Sequence, residues 1–169
     1  HLKGNKITPD YGISVDEITA QRLAIHRFEE GDIVFGRRGE LGRCAVVQPD
    51  QVGWLCGTGS LRARCNKTLA NPSYVALVFN GSSAAMRLTL ESVGSTMDNL
   101  NTEMLGHFCI PLPPLAEQNE IAGAVEAYQR KVNHLRDSLQ LSIALAKERR
   151  AALITSAVTG QISLEDMTV

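Results

Sequence analysis

A chain of 169 residues is long enough for one domain with its own core and an appended element. With 44% hydrophobic residues and a net charge of −1 it is not a disordered segment, and its overall charge alone argues against a nucleic-acid binder. No apolar run approaches the roughly 20 residues that span a bilayer, and no secretory signal opens the sequence, so a cytoplasmic protein is expected; a start at His1 reads as a fragment or a trimmed piece rather than a natural start.

In chain order, residues 16–25 (DEITAQRLAI) fit either a short helix or a loop with a strand. Asp32-Ile33-Val34-Phe35 is an apolar run between Gly31 and Gly36, and Cys44-Ala45-Val46-Val47 follows the turn Gly36–Gly42, which predicts a hairpin. Trp54-Leu55-Cys56 and Leu61–Cys65 flank Gly57-Thr58-Gly59-Ser60 and predict a second hairpin or bulged pair, with Phe35, Val46 and Trp54 in the core. Asn71-Pro72-Ser73 predicts a helix start with Pro72 in the first helical position, continuing through Phe79 and stopping at Asn80-Gly81. A second short helix is expected over Ser83–Thr89. Then come a polar loop, a short strand at Phe108-Cys109-Ile110, and a hinge at Pro111, Pro113 and Pro114.

From Leu115 to about Val158 the pattern is helical. Ile121, Val125, Tyr128, Val132, Leu135 and Leu139 are spaced 4, 3, 4, 3 and 4, a coiled-coil seam. Beyond Leu139 the same heptad meets Ser142, Ala146, Arg149 and Leu153, with Ile143 and Leu145 on adjacent lines. Such a helix runs ~65 Å at 1.5 Å per residue, more than the preceding domain can bury, so it needs a partner helix. Gly160 ends it, and Gln161–Leu164 suits a short strand or clasp. The fold class is α+β: a β-rich domain over 1–112, then the helical region over 113–169.

The chemistry points to binding. The four cysteines lack a CxxC pair, the histidines lack zinc-site spacing, and no HExxH, GxSxG or paired-carboxylate motif is present. Gly57-Thr58-Gly59-Ser60 lacks the lysine and helix of a phosphate loop and reads first as a turn. Basic residues gather as Arg37-Arg38, at a hairpin tip, and as Arg62-x-Arg64-x-x-Lys67. Each is an ordinary solvated group unless the domain binds DNA, where arginine suits guanine and phosphate alike. Successive side chains alternate in direction, so at most one of Arg37 and Arg38 reads a base. Ser95, Thr96 and Asn99 belong to a loop of short polar side chains that either cap local turns or meet DNA.

Four stretches together resemble a known family: Gly31-Asp32-Ile33-Val34 with Gly39 and Gly42; Gly94-Ser95-Thr96 with Leu100, Asn101 and Leu105; Ile110-Pro111-Leu112-Pro113-Pro114-Leu115-x-Glu117-Gln118-x-x-Ile121; and Arg149–Ile154 with Ala157–Ile162. They are similar to the specificity subunit of type I restriction-modification systems, over nearly the whole chain. The resemblance implies a target recognition domain that reads one half of a split duplex-DNA site, and a conserved helix that packs antiparallel against another as a ruler. It implies a modification subunit docked on the helical region, carrying S-adenosylmethionine and methylating adenine, and a restriction subunit engaged indirectly; this chain itself takes no cofactor or metal and does no chemistry. The DNA-contacting candidates are Arg37, Arg38, Thr58, Ser60, Arg62, Arg64, Lys67, Ser95, Thr96 and Asn99. The seam Ile121, Val125, Tyr128, Val132, Leu135 and Leu139 then drives homodimerisation or pairing with another specificity half. The rival reading is a scaffold or regulatory fragment that holds the modification subunit through its helix without reading DNA.

Overall fold

The computed structural model describes residues 2–3, 5–9, 12–39, 41–92 and 99–162, and divides the chain into two compact units, His1–Ala122 and Gly123–Val169. In the first unit, strands β1 (Leu2–Lys3) and β2 (Lys6–Ile7) pair antiparallel around Asn5, whose φ of 61° is a left-handed conformation that asparagine tolerates. Residues 16–25 resolve as helix α1 (Glu17–Arg22) followed by a 3-10 turn, Ala24–His26. Asp16 caps α1, its carboxylate accepting the Thr19 N–H at 2.7 Å.

Strand β3 (Ile33–Gly36) is the middle of a three-stranded antiparallel sheet, with β4 (Cys44–Val46) on one side and β5 (Ser60–Ala63) on the other. Every residue of β3 is buried because both faces are covered: Ile33 and Phe35 enter the larger core, while Val34 joins a smaller one with Phe28 and Val47. The β3–β4 hairpin forms as the sequence predicts. Gly42 closes its turn at φ 86°, where an added Cβ stands 2.9 Å from Leu88 Cδ1 and 3.2 Å from the Phe79 carbonyl oxygen, so glycine is required.

The second predicted hairpin does not form. Leu61 and its neighbours pair with β3, in the register Ile33↔Ala63 and Gly36↔Ser60, and Leu55 makes a single antiparallel bridge to Arg27. A central strand buried on both faces has no water to satisfy a bare edge, and β5 supplies that pairing. Phe35 is deep in the core as expected, but Val46 and Trp54 are only half-buried.

Helix α2 (Pro72–Phe79) starts where predicted, the Asn71 side chain accepting the N–H groups of Ser73 and Tyr74 at 2.8 and 3.3 Å. At its end Asn80 turns back and bonds both the N–H and the carbonyl of Cys44, each at 3.0 Å, tying α2 to the outer edge of β4. Helix α3 (Ser82–Ser92) is longer than expected. A further helix, α4 (Thr102–His107), begins at Asn101, which accepts the Met104 N–H at 2.8 Å. The strand expected at Phe108–Ile110 is absent. That segment is held by side chains instead: Phe108 packs on Phe79 with ring centroids 5.1 Å apart, and Arg87 stacks over Phe108 while donating to the Cys109 carbonyl at 3.1 Å.

Helix α5 (Leu115–Val158) is continuous over 44 residues. Its first turns belong to the first unit, where Gln118, 0% exposed, satisfies its whole amide. It accepts the Asn71 N–H at 2.8 Å and donates to the carbonyls of Leu69 and Pro113 at 3.0 and 2.8 Å. Tyr74 donates its hydroxyl to the Pro111 carbonyl at 3.1 Å, so α2 grips the proline segment as well. In the second unit α5 ends at Gly160, φ 71°, and the amides of Gln161 and Ile162 both return to the Ser156 carbonyl. Gln161 and Ile162 therefore form this cap and no strand; the rest of the expected clasp, Ser163 and Leu164, lies outside the described residues.

Candidate nucleic-acid interface

The Gly36↔Ser60 pair is the last rung of the sheet, and past it two loops leave side by side, the Arg37–Gly42 turn and Gly57–Gly59. Arg37 joins them to a third. Its N–H donates to the Gly59 carbonyl at 3.1 Å, and its carbonyl accepts the Leu100 N–H at 2.9 Å. Its side chain donates from Nε to the Leu100 carbonyl and from Nη1 to the Thr58 carbonyl, each at 3.4 Å. Leu100 is wholly buried and anchors the short segment Asn99–Leu100 to the core. One end of the sheet thus brings together Arg37, Arg38, Thr58, Ser60 and Asn99 from three distant segments. Arg38, Thr58 and Asn99 are exposed, and Ser60 is half-buried. Ser95 and Thr96 lie outside the described residues.

Arg62, Arg64 and Lys67 are placed differently. Across the β3–β5 register Arg64 stands opposite Asp32, which is 1% exposed, and donates to it from Nε to Oδ1 at 2.7 Å and from Nη2 to Oδ2 at 3.0 Å. Arg64 Nη1 also pairs with Glu29 at 2.7 Å. Arg62 comes within 3.8 Å of Asp32 through Nε and donates from Nη1 to the Arg27 carbonyl. Lys67 donates to the Glu30 carbonyl at 2.9 Å. Burial opposes ionisation of Asp32, but hydrogen bonds from Arg64 and the Glu29 amide, with the charges of Arg64 and Arg62, outweigh it and hold its carboxyl below the usual carboxylate range. The same hydrogen bond pushes the Arg64 guanidinium further up. This cluster of basic residues is largely partnered within its own fold.

Burial pushes the Cys44 thiol up to about 12 and raises Cys56 and Cys65 as well. Among the described residues no cluster of His, Cys, Asp and Glu has the form of a metal site.

The seam of α5 is open to solvent, with Tyr128 69% and Leu139 64% exposed. At 100° per residue, the stripe does not pass from Leu139 to Ser142. It steps four residues to Ile143 and continues through Ala146, Arg150, Leu153 and Ala157. The spacing is then 4, 3, 4, 3 and 4 on each side of Leu139, read outward or inward alike.

A small antiparallel sheet presenting loops from one end, followed by a long helix with an open apolar stripe, is the layout of a recognition module. Residues 10–142 match the family model described as type I restriction modification DNA specificity domain. The chain belongs to this family. It is 25% identical, over 150 residues, to a putative type I restriction enzyme MjaX specificity subunit from Methanocaldococcus jannaschii, covering 85% of this chain and 35% of that one. Over 71 residues it is 34% identical to the type I restriction enzyme EcoBI specificity subunit of Escherichia coli, covering 42% of this chain and 15% of the relative. Among solved structures, the HsdS subunit from Thermoanaerobacter tengcongensis superposes with a TM-score of 0.57 at 30% identity, covering 65% of this chain and 29% of that chain. A second, from work on complex assembly and conformational transition of the type I R-M system, gives 0.61 at 26% identity, covering 85% and 36%. The chain spans about a third or less of the length of these relatives.

Proposed function

We propose that this chain is the DNA-reading part of a type I restriction-modification specificity subunit, recognising one half of a bipartite duplex site and directing modification and restriction subunits to it. The observation that carries this is the gathering of Arg38, Thr58, Ser60 and Asn99 around Arg37 at one end of the sheet. The roles follow from their chemistry. Arg38 offers a fork to guanine or phosphate, Asn99 a paired donor and acceptor to adenine, and the hydroxyls of Thr58 and Ser60 meet phosphate. Arg62, Arg64 and Lys67 stiffen the sheet behind these loops. The chain transfers no methyl group and holds no cofactor; S-adenosylmethionine belongs to the modification subunit. The complex works in the cytoplasm.

The helix supplies a meeting point. The mirrored spacing about Leu139 fits a second copy laid antiparallel, with Leu139 against its counterpart. Ile121 then faces Ala157, Val125 faces Leu153, Tyr128 faces Arg150, Val132 faces Ala146, and Leu135 faces Ile143. Ile121 and Val132 meet alanines, branched aliphatic side chains meet one another in the other apolar pairs, and an arginine meets an aromatic ring. Two copies related by a two-fold axis read a two-fold symmetric site.

The test is to express the chain with its modification partner and map methylated adenines across a genome. A single interrupted motif, symmetric when this chain is the only specificity component, supports the proposal. Methylation without sequence preference, with the partner still bound, favours the scaffold reading and overturns this one.

A further inference from the structure

We infer that Arg37 is a positioning residue, shaping the recognition face from within while Arg38 makes the outward contact; this rests on the DNA reading proposed above. The sequence sets two arginines side by side, and the fold gives them unlike surroundings. Arg38 is exposed and has no hydrogen-bond or ion-pair partner among the described residues. Arg37 is half-buried, and through its main chain and side chain it bonds Thr58, Gly59 and Leu100, segments 21 to 63 residues away.

The guanidinium matters here for its shape. Two carbonyls, of Thr58 and Leu100, receive separate N–H groups of one planar fork, and a lysine nitrogen on its flexible stem does not reproduce that geometry. Both bonds are long at 3.4 Å, so each adds little to overall stability. The strong links to this region are the main-chain bonds of Arg37 and the buried Leu100, and these survive a side-chain change. Losing the fork therefore loosens Thr58 and Asn99 relative to Arg38 without unfolding the sheet. Phosphate attraction tolerates such drift; the directional bonds that read base edges do not. The cost falls on discrimination.

The experiment uses the full chain in complex with its modification subunit, a duplex selected from random sequence, and a scrambled duplex of equal length. Affinities for both are measured across a salt series, alongside thermal melting. In Arg37→Lys the ratio of specific to nonspecific affinity falls about tenfold, the scale of one mismatched base pair, while melting temperature and salt slope stay at wild-type values. Arg37→Ala lowers the ratio to the same level. Arg38→Ala instead weakens binding to both duplexes and flattens the salt slope by about 0.9, as expected for one lost phosphate neutralisation. Retention of the wild-type ratio in Arg37→Lys shows that charge alone counts and overturns the inference. So does a ratio that falls only in step with melting temperature. A wild-type complex that binds both duplexes equally removes the DNA reading itself and this inference with it.

Discussion

The carboxylate of Asp32 holds Arg64 in a forked grip, 2.7 Å from Nε and 3.0 Å from Nη2, at one end of the β3–β5 pair. Replacing Asp32 by Asn keeps the shape but leaves the two arginines without their buried counter-charge. The loss is about 2 kcal/mol in denaturant unfolding, the range for hydrogen bonds to charged groups. Arg64→Ala lowers stability in the same assay, and its effect on DNA binding disappears when affinities are compared at temperatures well below melting.

Stability also carries an acid limb from this pair. Asp32 has a depressed pKa in the fold and about 3.9 in the unfolded chain, so the unfolded state binds the proton more readily. The stabilisation is complete above about pH 5 and is lost as pH falls through the unfolded value toward the folded one. Denaturant midpoints measured from pH 7 down to pH 3 show a decline that is shallower in Asp32→Asn than in wild type.

Gln118→Leu tests the start of the long helix. The volume is nearly kept, but the Asn71 N–H and the carbonyls of Leu69 and Pro113 lose their partner. The expected destabilisation is about 3 kcal/mol, with hydrogen exchange accelerated first at Asn71. Unchanged exchange there contradicts the assigned bonds.

Gly42→Ala places a methyl group against Leu88 and the Phe79 carbonyl in a left-handed backbone. A cost of about 2 kcal/mol or more follows from backbone strain and overpacking together, read as a lowered melting temperature. Gly39→Ala has the same handedness at φ 84° but no neighbour within 4 Å, so its cost is smaller, about 1 kcal/mol.

Leu139→Cys, in a background where Cys56, Cys65 and Cys109 are Ser, reports the antiparallel register. Oxidation gives a covalent dimer if the two-fold passes through this position, and Val132→Cys with Ala146→Cys gives the same between copies. Val132→Cys alone does not cross-link. A monomer by sedimentation at high concentration, or cross-linking through Val132→Cys alone, contradicts the register.

How much of this was readable from residues depends on the range of the interaction. The β3–β4 hairpin, the Asn71–Pro72 helix start and the full span of α5 are written in local patterns: glycines in a short turn, a cap before a proline, a long helical run free of proline. The partner of β5 is not local. It follows from β3 being buried on both faces, which a linear reading of Trp54–Cys65 does not reveal. Helix α4 hid because Asn101 is a cap signal followed by only six residues, Gly106 among them. The loops of the candidate site were recognisable from Arg37-Arg38, Gly57–Ser60 and Asn99, each rich in turn formers. That Asp32 claims Arg64 was not, because the pair is set by strand register and lies 32 residues apart.

Because Gln118 and Ala122 are packed with α2 and the proline segment, the natural seam for exchanging recognition units lies inside α5 and not at the prolines before it. A chimera joined at Pro114 separates Asn71 from its clasp and inherits a frayed junction. One joined after Ala122 transplants the donor's specificity with its own anchor intact.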